Sequence, residues 1–339
     1  MASSTDCVSS RCSRVFLTYK PSLAGNGVFL ALFAILIPVA FALGIKYKST
    51  VFSTAVVTGL ALEVVGYIGR LLLYNTPTDR SGFILFLIGT IVGPTLICGS
   101  LFLIIPQVIT VYGEEFRSWR SPWYCFLLQV LTALSLALEL AGGLVSAIKD
   151  DQEQVDVGNH VLFAGLVIQL ITLLITIGHA ILFTVAVQTR HHILDVEFAG
   201  IYNSGSFKAF LFAFAFAILL LVLRTAYRTV AVAEGYASSI AQSETLLLVL
   251  DGLMVLLATL ILLAFFPGRI LRDSVNQMLP HRSPRTPLQP IRVAPYDLPS
   301  TQSSPTYNQA RVKPPMLSHH VRKSEPLPQR NMVDSDSLW

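Results

Sequence analysis

One apolar segment carries three polar residues at helical spacing. Glu63, Tyr67 and Arg70 follow one another at intervals of four and three residues, so a helix would present all three on one face. An ionisable side chain at the centre of a bilayer costs about 2.5 to 3.5 kcal/mol on insertion scales. A carboxylate, a phenol and a guanidinium in such surroundings predict either a site for a polar headgroup or a structural lock between helices.

Other apolar segments carry polar residues of the same kinds, and we include six of them in the predicted site. They are Glu139, Gln169, Arg224, Arg228, Glu244 and Asp251. We expect the carboxylates to face the arginines at one level of the membrane, around a polar cavity that is open, or able to open, to the outside. Simpler interpretations exist for some members. Arg228 and Glu244 are close enough to segment ends to reach the lipid headgroups, and glutamines such as Gln169 often cross-link helices.

Several kinds of chemistry are missing from the sequence. It has no glycine-rich loop with the spacing of a phosphate cradle, so we do not expect this chain to use ATP directly. His160 and His179 fall on one segment, nineteen positions apart, which does not fit a zinc hydrolase site. The excess of basic over acidic residues lies in tails and connecting loops, which argues against nucleic-acid binding. We therefore expect no enzyme activity, no metal and no cofactor.

The composition indicates that lipid surrounds most of the chain. Hydrophobic residues make up 53% of the 339 positions and charged residues 13%, against roughly 25% charged in a soluble domain. A helix needs about 20 apolar residues to cross a hydrocarbon core of about 30 Å. Seven segments qualify: 27–45, 51–74, 83–111, 123–148, 160–188, 207–230 and 244–266. The predicted fold is an all-α integral membrane protein, a seven-transmembrane-helix bundle, whose third helix is kinked at Pro94 or Pro106 or projects beyond the bilayer.

Three regions follow from these segments. Residues 1–26 form an N-terminal tail, residues 27–266 the membrane domain, and residues 267–339 a Pro- and Ser-rich tail that we expect to be disordered. Eight Lys and Arg residues near segment ends fall on the side of the C-terminus and five on the side of the N-terminus. Because cytoplasmic loops retain positive charge, we expect the N-terminus outside and the C-terminal tail in the cytosol, in reach of cytosolic regulators. Cys7 and Cys12 would then lie outside, either as thiols or as a disulfide.

The run from Leu62 to Arg70 resembles the E-x-x-G-Y-x-x-R signature of the fungal lipid-translocating exporters, which are RTA-like seven-helix proteins. Matching positions follow in the same order, namely Pro94, Gly142 with Gly143, Gly165 with Leu166 and Gln169, Arg224 with Tyr227 and Arg228, Glu244 with Asp251, and Pro267 with Gly268. The resemblance covers residues 27–270. The chain departs from the family pattern at Thr132, Glu139, Ala231, Leu248 and Phe266.

The resemblance implies an exporter or translocator of lipids or toxic amphiphiles that confers resistance to them. Its substrates would be sphingoid long-chain bases, amino-sterols or, in some members, porphyrins. Membrane lipids or amphiphilic small molecules are the implied partners, and the plasma membrane or an endomembrane is the implied location. The alternative hypothesis is a seven-helix sensor that binds an extracellular amphiphile and signals through the cytosolic tail. A membrane-embedded hydrolase is a third and weaker hypothesis.

Overall fold

The computed structural model describes residues 19–112, 122–149, 151–189, 204–235 and 238–270, which contain helices and no strands. The helices are α1 (Leu23–Tyr47), α2 (Thr50–Asn75), α3 (Arg80–Phe102), α4 (Ile105–Val111), α5 (Pro122–Ile148), α6 (Gln152–Thr189), α7 (Gly205–Ala233), α8 (Glu244–Leu246), a π-helical segment (Leu247–Leu253) and α9 (Met254–Ala264). α3 and α4 form the third membrane span, and α8, the π-helical segment, α9 and the turn to Ile270 form the seventh. The protein is therefore an integral membrane protein with seven spans, which confirms the predicted fold. The Cys7 to Cys12 pairing and the tail from residue 271 onward lie outside the described residues.

Polar residues at the helix N-termini fix where several spans begin. The side chain of Asp79 accepts hydrogen bonds from the backbone N–H groups of Ser81 at 3.1 Å and Gly82 at 3.0 Å. Ser22 and Ser204 cap α1 and α7 through the N–H groups three residues later. These bonds satisfy donors that have no partner within the helix. Each cap thus helps to set the register in which its span presents polar side chains.

The interruption predicted for the third span is present, and it lies just before Pro106. α3 continues through Pro94, whereas the helix breaks at Leu103 and Ile104, whose N–H groups bond to carbonyls three residues back. Pro106 is the second residue of α4, where a missing N–H costs no helical hydrogen bond. The third span is also the most enclosed, since 78% of its most apolar stretch is buried against 22% for the first span. It forms the centre of the bundle.

Most of the spans are longer than the apolar segments of the sequence. The fifth begins at Gln152 and not at His160, because the helix includes Glu153 and Asp156, and acidic side chains are favourable near a helix N-terminus. Its 38 residues cover about 57 Å at about 1.5 Å per residue, more than the hydrocarbon core. Residues 23–26 belong to α1, and the seventh span reaches Ile270. The first helix therefore begins before the apolar segment 27–45, and the seventh span ends after the segment 244–266.

Consecutive spans pack side by side, and the first span contacts the seventh, so the bundle closes on itself. Glycines allow the second and third spans to approach closely. A Cβ added at Gly59 would lie 2.8 Å from the carbonyl oxygen of Gly93, and one added at Gly93 would lie 2.9 Å from that of Gly59. Gly66 and Gly89 also meet backbone to backbone. Small residues at such crossings are a recurrent means of packing membrane helices.

The bundle has two ends, which we name after the chain termini. α1 begins and α2 ends at the N-terminal end, whereas α1 ends and α7 begins at the C-terminal end. Between the ends, large apolar side chains such as Phe41 and Phe126 are 60% and 62% exposed on the outside of the bundle. A surface of this kind is expected where hydrocarbon is the solvent.

Candidate functional site

Charged residues of the sixth and seventh spans form a buried ion-pair cluster. Asp251 Oδ1 accepts a hydrogen bond from Arg224 Nε at 2.7 Å, and Asp251 Oδ2 accepts one from Arg228 Nη2 at 2.8 Å. Arg224 also donates to the carbonyl oxygen of Thr90 in the third span, and Arg228 donates to the Thr90 hydroxyl at 2.6 Å. Asp251, Arg224 and Arg228 are all buried. These three side chains together carry two guanidinium groups and one carboxylate.

Glu63 of the second span lies beside this cluster. Its side chain is 2% exposed and interacts electrostatically with Arg224, Arg228 and Asp251. Within the described part of the chain it makes no hydrogen bond and no ion pair. Glu63 thus lies within electrostatic range of the cluster, and its carboxyl oxygens have no bonded partner among the described residues.

A second layer of polar groups lies about 10 Å nearer the N-terminal end, two helical turns along the second span. Arg70 Nη2 lies 3.4 Å from Glu244 Oε1 and 3.0 Å from the Tyr19 hydroxyl. The same oxygen of Glu244 accepts hydrogen bonds from Asn26 Nδ2 at 3.0 Å and from the Ser22 N–H at 2.6 Å. Glu244 therefore joins the first, second and seventh spans.

One face of the second span carries polar groups that lack partners among the described residues. The Tyr67 hydroxyl and the Nε and Nη1 atoms of Arg70 are buried and make no hydrogen bond there. The Tyr67 ring stacks on Phe29 and Phe33, with 5.6 Å between ring centroids in each pair. With Glu63, this face offers a carboxylate, a hydroxyl and guanidinium donors in a row. Unsatisfied groups of this kind are costly in a low-dielectric interior and favour binding of a polar ligand or water.

Glu139 and Gln169 lie apart from the arginines, between the third, fourth and fifth spans. Glu139 accepts hydrogen bonds from the hydroxyls of Thr95 at 2.7 Å and Ser135 at 2.9 Å, and it forms no ion pair with the described residues. Gln169 is 1% exposed and its side chain lies beside Cys98. The structure therefore brings together seven of the nine predicted site residues and separates these two from them.

The open space beside the cluster is small. A cleft of about 20 Å³, lined by Phe86, Tyr227, Arg228 and Leu247 among others, adjoins it. Such a cleft holds about one water molecule. A larger cavity of about 750 Å³ lies toward the C-terminal end. The polar groups are enclosed in this structure, which agrees with a cavity that must open before a ligand enters, so a ligand would reach them when spans separate.

The π-helical segment Leu247–Leu253 determines where the site residues of the seventh span point. A π-turn inserts one extra residue per turn and changes the direction in which the following side chains point, and it is frequent at functional sites. In this segment Asp251 bonds to the sixth span, while Gly252 lies against the Tyr67 hydroxyl so closely that a Cβ there would collide with it. Consecutive residues thus contact two different spans.

Several residues of the network escaped the sequence reasoning, namely Tyr19, Asn26, Phe86, Thr90, Thr95 and Ser135. Phe86 lies beneath both guanidinium groups, 5.0 Å from Arg70 and 5.6 Å from Arg228. Hydroxyl residues give a weak signal because most bond to their own helix, as Thr90 does to the carbonyl of Phe86 at 2.8 Å. Asn26 could have been identified from the sequence, because an amide beside an apolar segment requires a hydrogen-bond partner.

Comparison with known proteins gives one family match. The sequence profile of the family described as RTA1 like protein matches residues 56–274. This range includes most of the second span, the third to seventh spans and every site residue predicted from the sequence. No solved structure matches the chain.

Three yeast relatives show similarity over most of the bundle. The chain is 26% identical over 309 residues to the Sphingoid long-chain base transporter RSB1 of Saccharomyces cerevisiae (strain Lalvin EC1118 / Prise de mousse), covering 83% of this chain and 78% of the relative. It is 26% identical to Protein RTA1 of strain ATCC 204508 / S288c, with 62% and 63% coverage. It is also 26% identical to the Protoporphyrin uptake protein 1 of that strain, with 66% and 71% coverage.

Proposed function

We propose a function for this chain from the premise that it belongs to the RTA1-like family of membrane proteins. The chain is a lipid transporter that exports amphiphiles carrying an amine, and sphingoid long-chain bases are its leading substrate class. A relative named as a transporter of those bases supports the substrate class. Amino-sterols present the same combination of amine and apolar body. Export of such molecules would protect the cell from them.

The observation that carries this proposal is the row of unpartnered groups on the second span. A sphingoid base has an ammonium group beside hydroxyls. The Glu63 carboxylate can accept a charge-assisted hydrogen bond from the ammonium. The Tyr67 hydroxyl and the free donors of Arg70 can bind the hydroxyls. Asp251 and Glu244 already bond to arginines, so they act by positioning those arginines.

The surroundings of the transported molecule follow from the same proposal. The excess of positive charge on the side of the C-terminus supports an N-terminus outside and a cytosolic C-terminal tail. Export out of the cell requires a plasma-membrane location. In this orientation the candidate site lies in the half of the bundle nearer the outside. Transport then proceeds without enzymatic turnover, by separation of spans around the headgroup.

The role of Glu63 is tested by protection of cells against added sphingoid base. We expect Glu63→Gln to abolish protection, because an uncharged amide cannot pair with an ammonium group, while surface expression stays at the wild-type level. Glu139→Gln is the matched control, since it changes a buried glutamate whose partners are hydroxyls. Full protection by the Glu63 variant would refute its role as the amine site.

A further inference from the structure

An apolar groove lies at the C-terminal end of the bundle, far along the spans from the candidate headgroup site. It has a volume of about 750 Å³ and lies between the third, fifth and sixth spans. Ile109, Phe183, Leu211 and Ile218 are among its lining residues. Phe212 at its margin is 76% exposed. The groove therefore faces the surrounding hydrocarbon, and its volume falls within the usual range of small-molecule sites.

The length of the groove matches one leaflet of a bilayer. On the sixth span its lining runs from Lys208 to Ile218, and on the fifth from Gln188 back to Thr176. At about 1.5 Å per residue these stretches cover about 15 to 18 Å. Half of a hydrocarbon core of about 30 Å is about 15 Å. A lipid chain that enters from the C-terminal end would therefore fill the groove and stop near the middle of the membrane.

A lysine lies at the headgroup end of the groove. Lys208 lies in the first turn of α7, at the end of the groove where Gln188 closes the fifth span. Within the described residues the side chain of Lys208 is exposed and has no ion pair or hydrogen bond. Lys208 is also the sole charged residue among those that line the groove in the described part of the chain. An ammonium group here repels an amine and attracts an anionic headgroup.

We propose that this groove is a binding site for an anionic phospholipid of the leaflet at the C-terminal end. One acyl chain lies along the apolar wall, and the phosphate lies at Lys208. This site is separate from the amine site around Glu63 and prefers the opposite headgroup charge. It would give the transporter a bound lipid whose occupancy depends on the composition of that leaflet.

Native mass spectrometry of the purified full-length protein tests the site, with dioleoyl phosphatidylglycerol and dioleoyl phosphatidylcholine as probes. We expect about fivefold stronger retention of the anionic lipid, the effect of one lysine near a charged lipid surface. Lys208→Gln should remove that preference. Lys46→Gln, which changes a lysine at the same end of the bundle, should keep it.

A second pair of variants tests the acyl-chain part of the groove. Ala215 lines the groove, and Ala215→Trp should reduce retention of both lipids by filling it. Ala209, another exposed alanine of α7 that does not line the groove, provides the control as Ala209→Trp. Equal retention of the two lipids by the wild type, or unchanged retention in Ala215→Trp, would overturn the proposal. A dimer that excludes lipid would also overturn it, since a second copy would then occupy the groove.

Discussion

Asp251 is the residue on which two buried arginines of the sixth span converge. Asp251→Asn removes the negative charge and leaves Arg224 and Arg228 with a neutral partner in a water-poor interior. Breaking a buried pair in this way costs about 3 to 5 kcal/mol. We therefore expect a marked fall in the melting temperature in detergent and reduced surface expression.

The control variant is Asp156→Asn. It alters an exposed aspartate whose Oδ1 accepts a hydrogen bond from Gln152 Nε2 at 3.0 Å. It should change stability by less than about 1 kcal/mol. An Asp251→Asn protein as stable as this control would contradict the account of the cluster. Such a result would indicate that Asp251 binds the headgroup directly.

The sequence was sufficient to place Glu63, Tyr67 and Arg70 on one helical face, because helical periodicity requires it. It did not show which carboxylate pairs with which arginine. That pairing depends on the rotation of the seventh span, which the π-helical segment sets and which has no sequence signature of its own. The partners of Glu139 could not be predicted either, because its two hydroxyl partners lie on different spans and only the packing of those spans brings them to it.

The contact between the second and third spans depends on glycine, and it holds the Glu63 face in place. Gly59→Ala would introduce a Cβ at 2.8 Å from both the Gly93 carbonyl oxygen and Ile97 Cγ1. Overpacking of this kind costs about 1 to 3 kcal/mol. We expect both a lower melting temperature and reduced transport. The reason is that the two spans must move apart to accommodate the added methyl group, which displaces the Glu63 face.

Gly178 offers the control for this change. A Cβ added there meets nothing within 4 Å, so Gly178→Ala should be neutral or should stabilise its helix by up to about 1 kcal/mol. If both alanine variants melted at the same temperature, close packing at Gly59 would not be a source of stability.

At the level of elements, the sequence predicted the number and order of the spans well. Apolar length determines whether a segment can cross a bilayer, so all seven were identifiable. The ends were less predictable, as the fifth span shows. Glu153 and Asp156 suggest a loop by polarity alone, yet they continue the helix beyond the apolar core. Pro106 correctly indicated a break, whereas Pro94 lies in an unbroken helix.

At the scale of the whole molecule, a transporter and a sensor differ in what they require of the C-terminal tail. The charged cluster, the polar face of the second span and the lipid groove all lie before residue 271. We therefore expect a chain lacking residues 281–339 to keep most of its protection of cells against sphingoid base. The measurement is growth in the presence of the base, normalised to surface expression. Loss of protection at normal expression would favour the sensor hypothesis.

The central claim is that the carboxylate of Glu63 receives the amine of the transported lipid. It is tested most directly in liposomes that contain the purified protein, by following a fluorescent sphingoid base between leaflets. The wild type should move the base faster than its N-acylated, uncharged derivative, and Glu63→Gln should move the base no faster than protein-free liposomes. Movement of the base at the wild-type rate by Glu63→Gln would contradict the account.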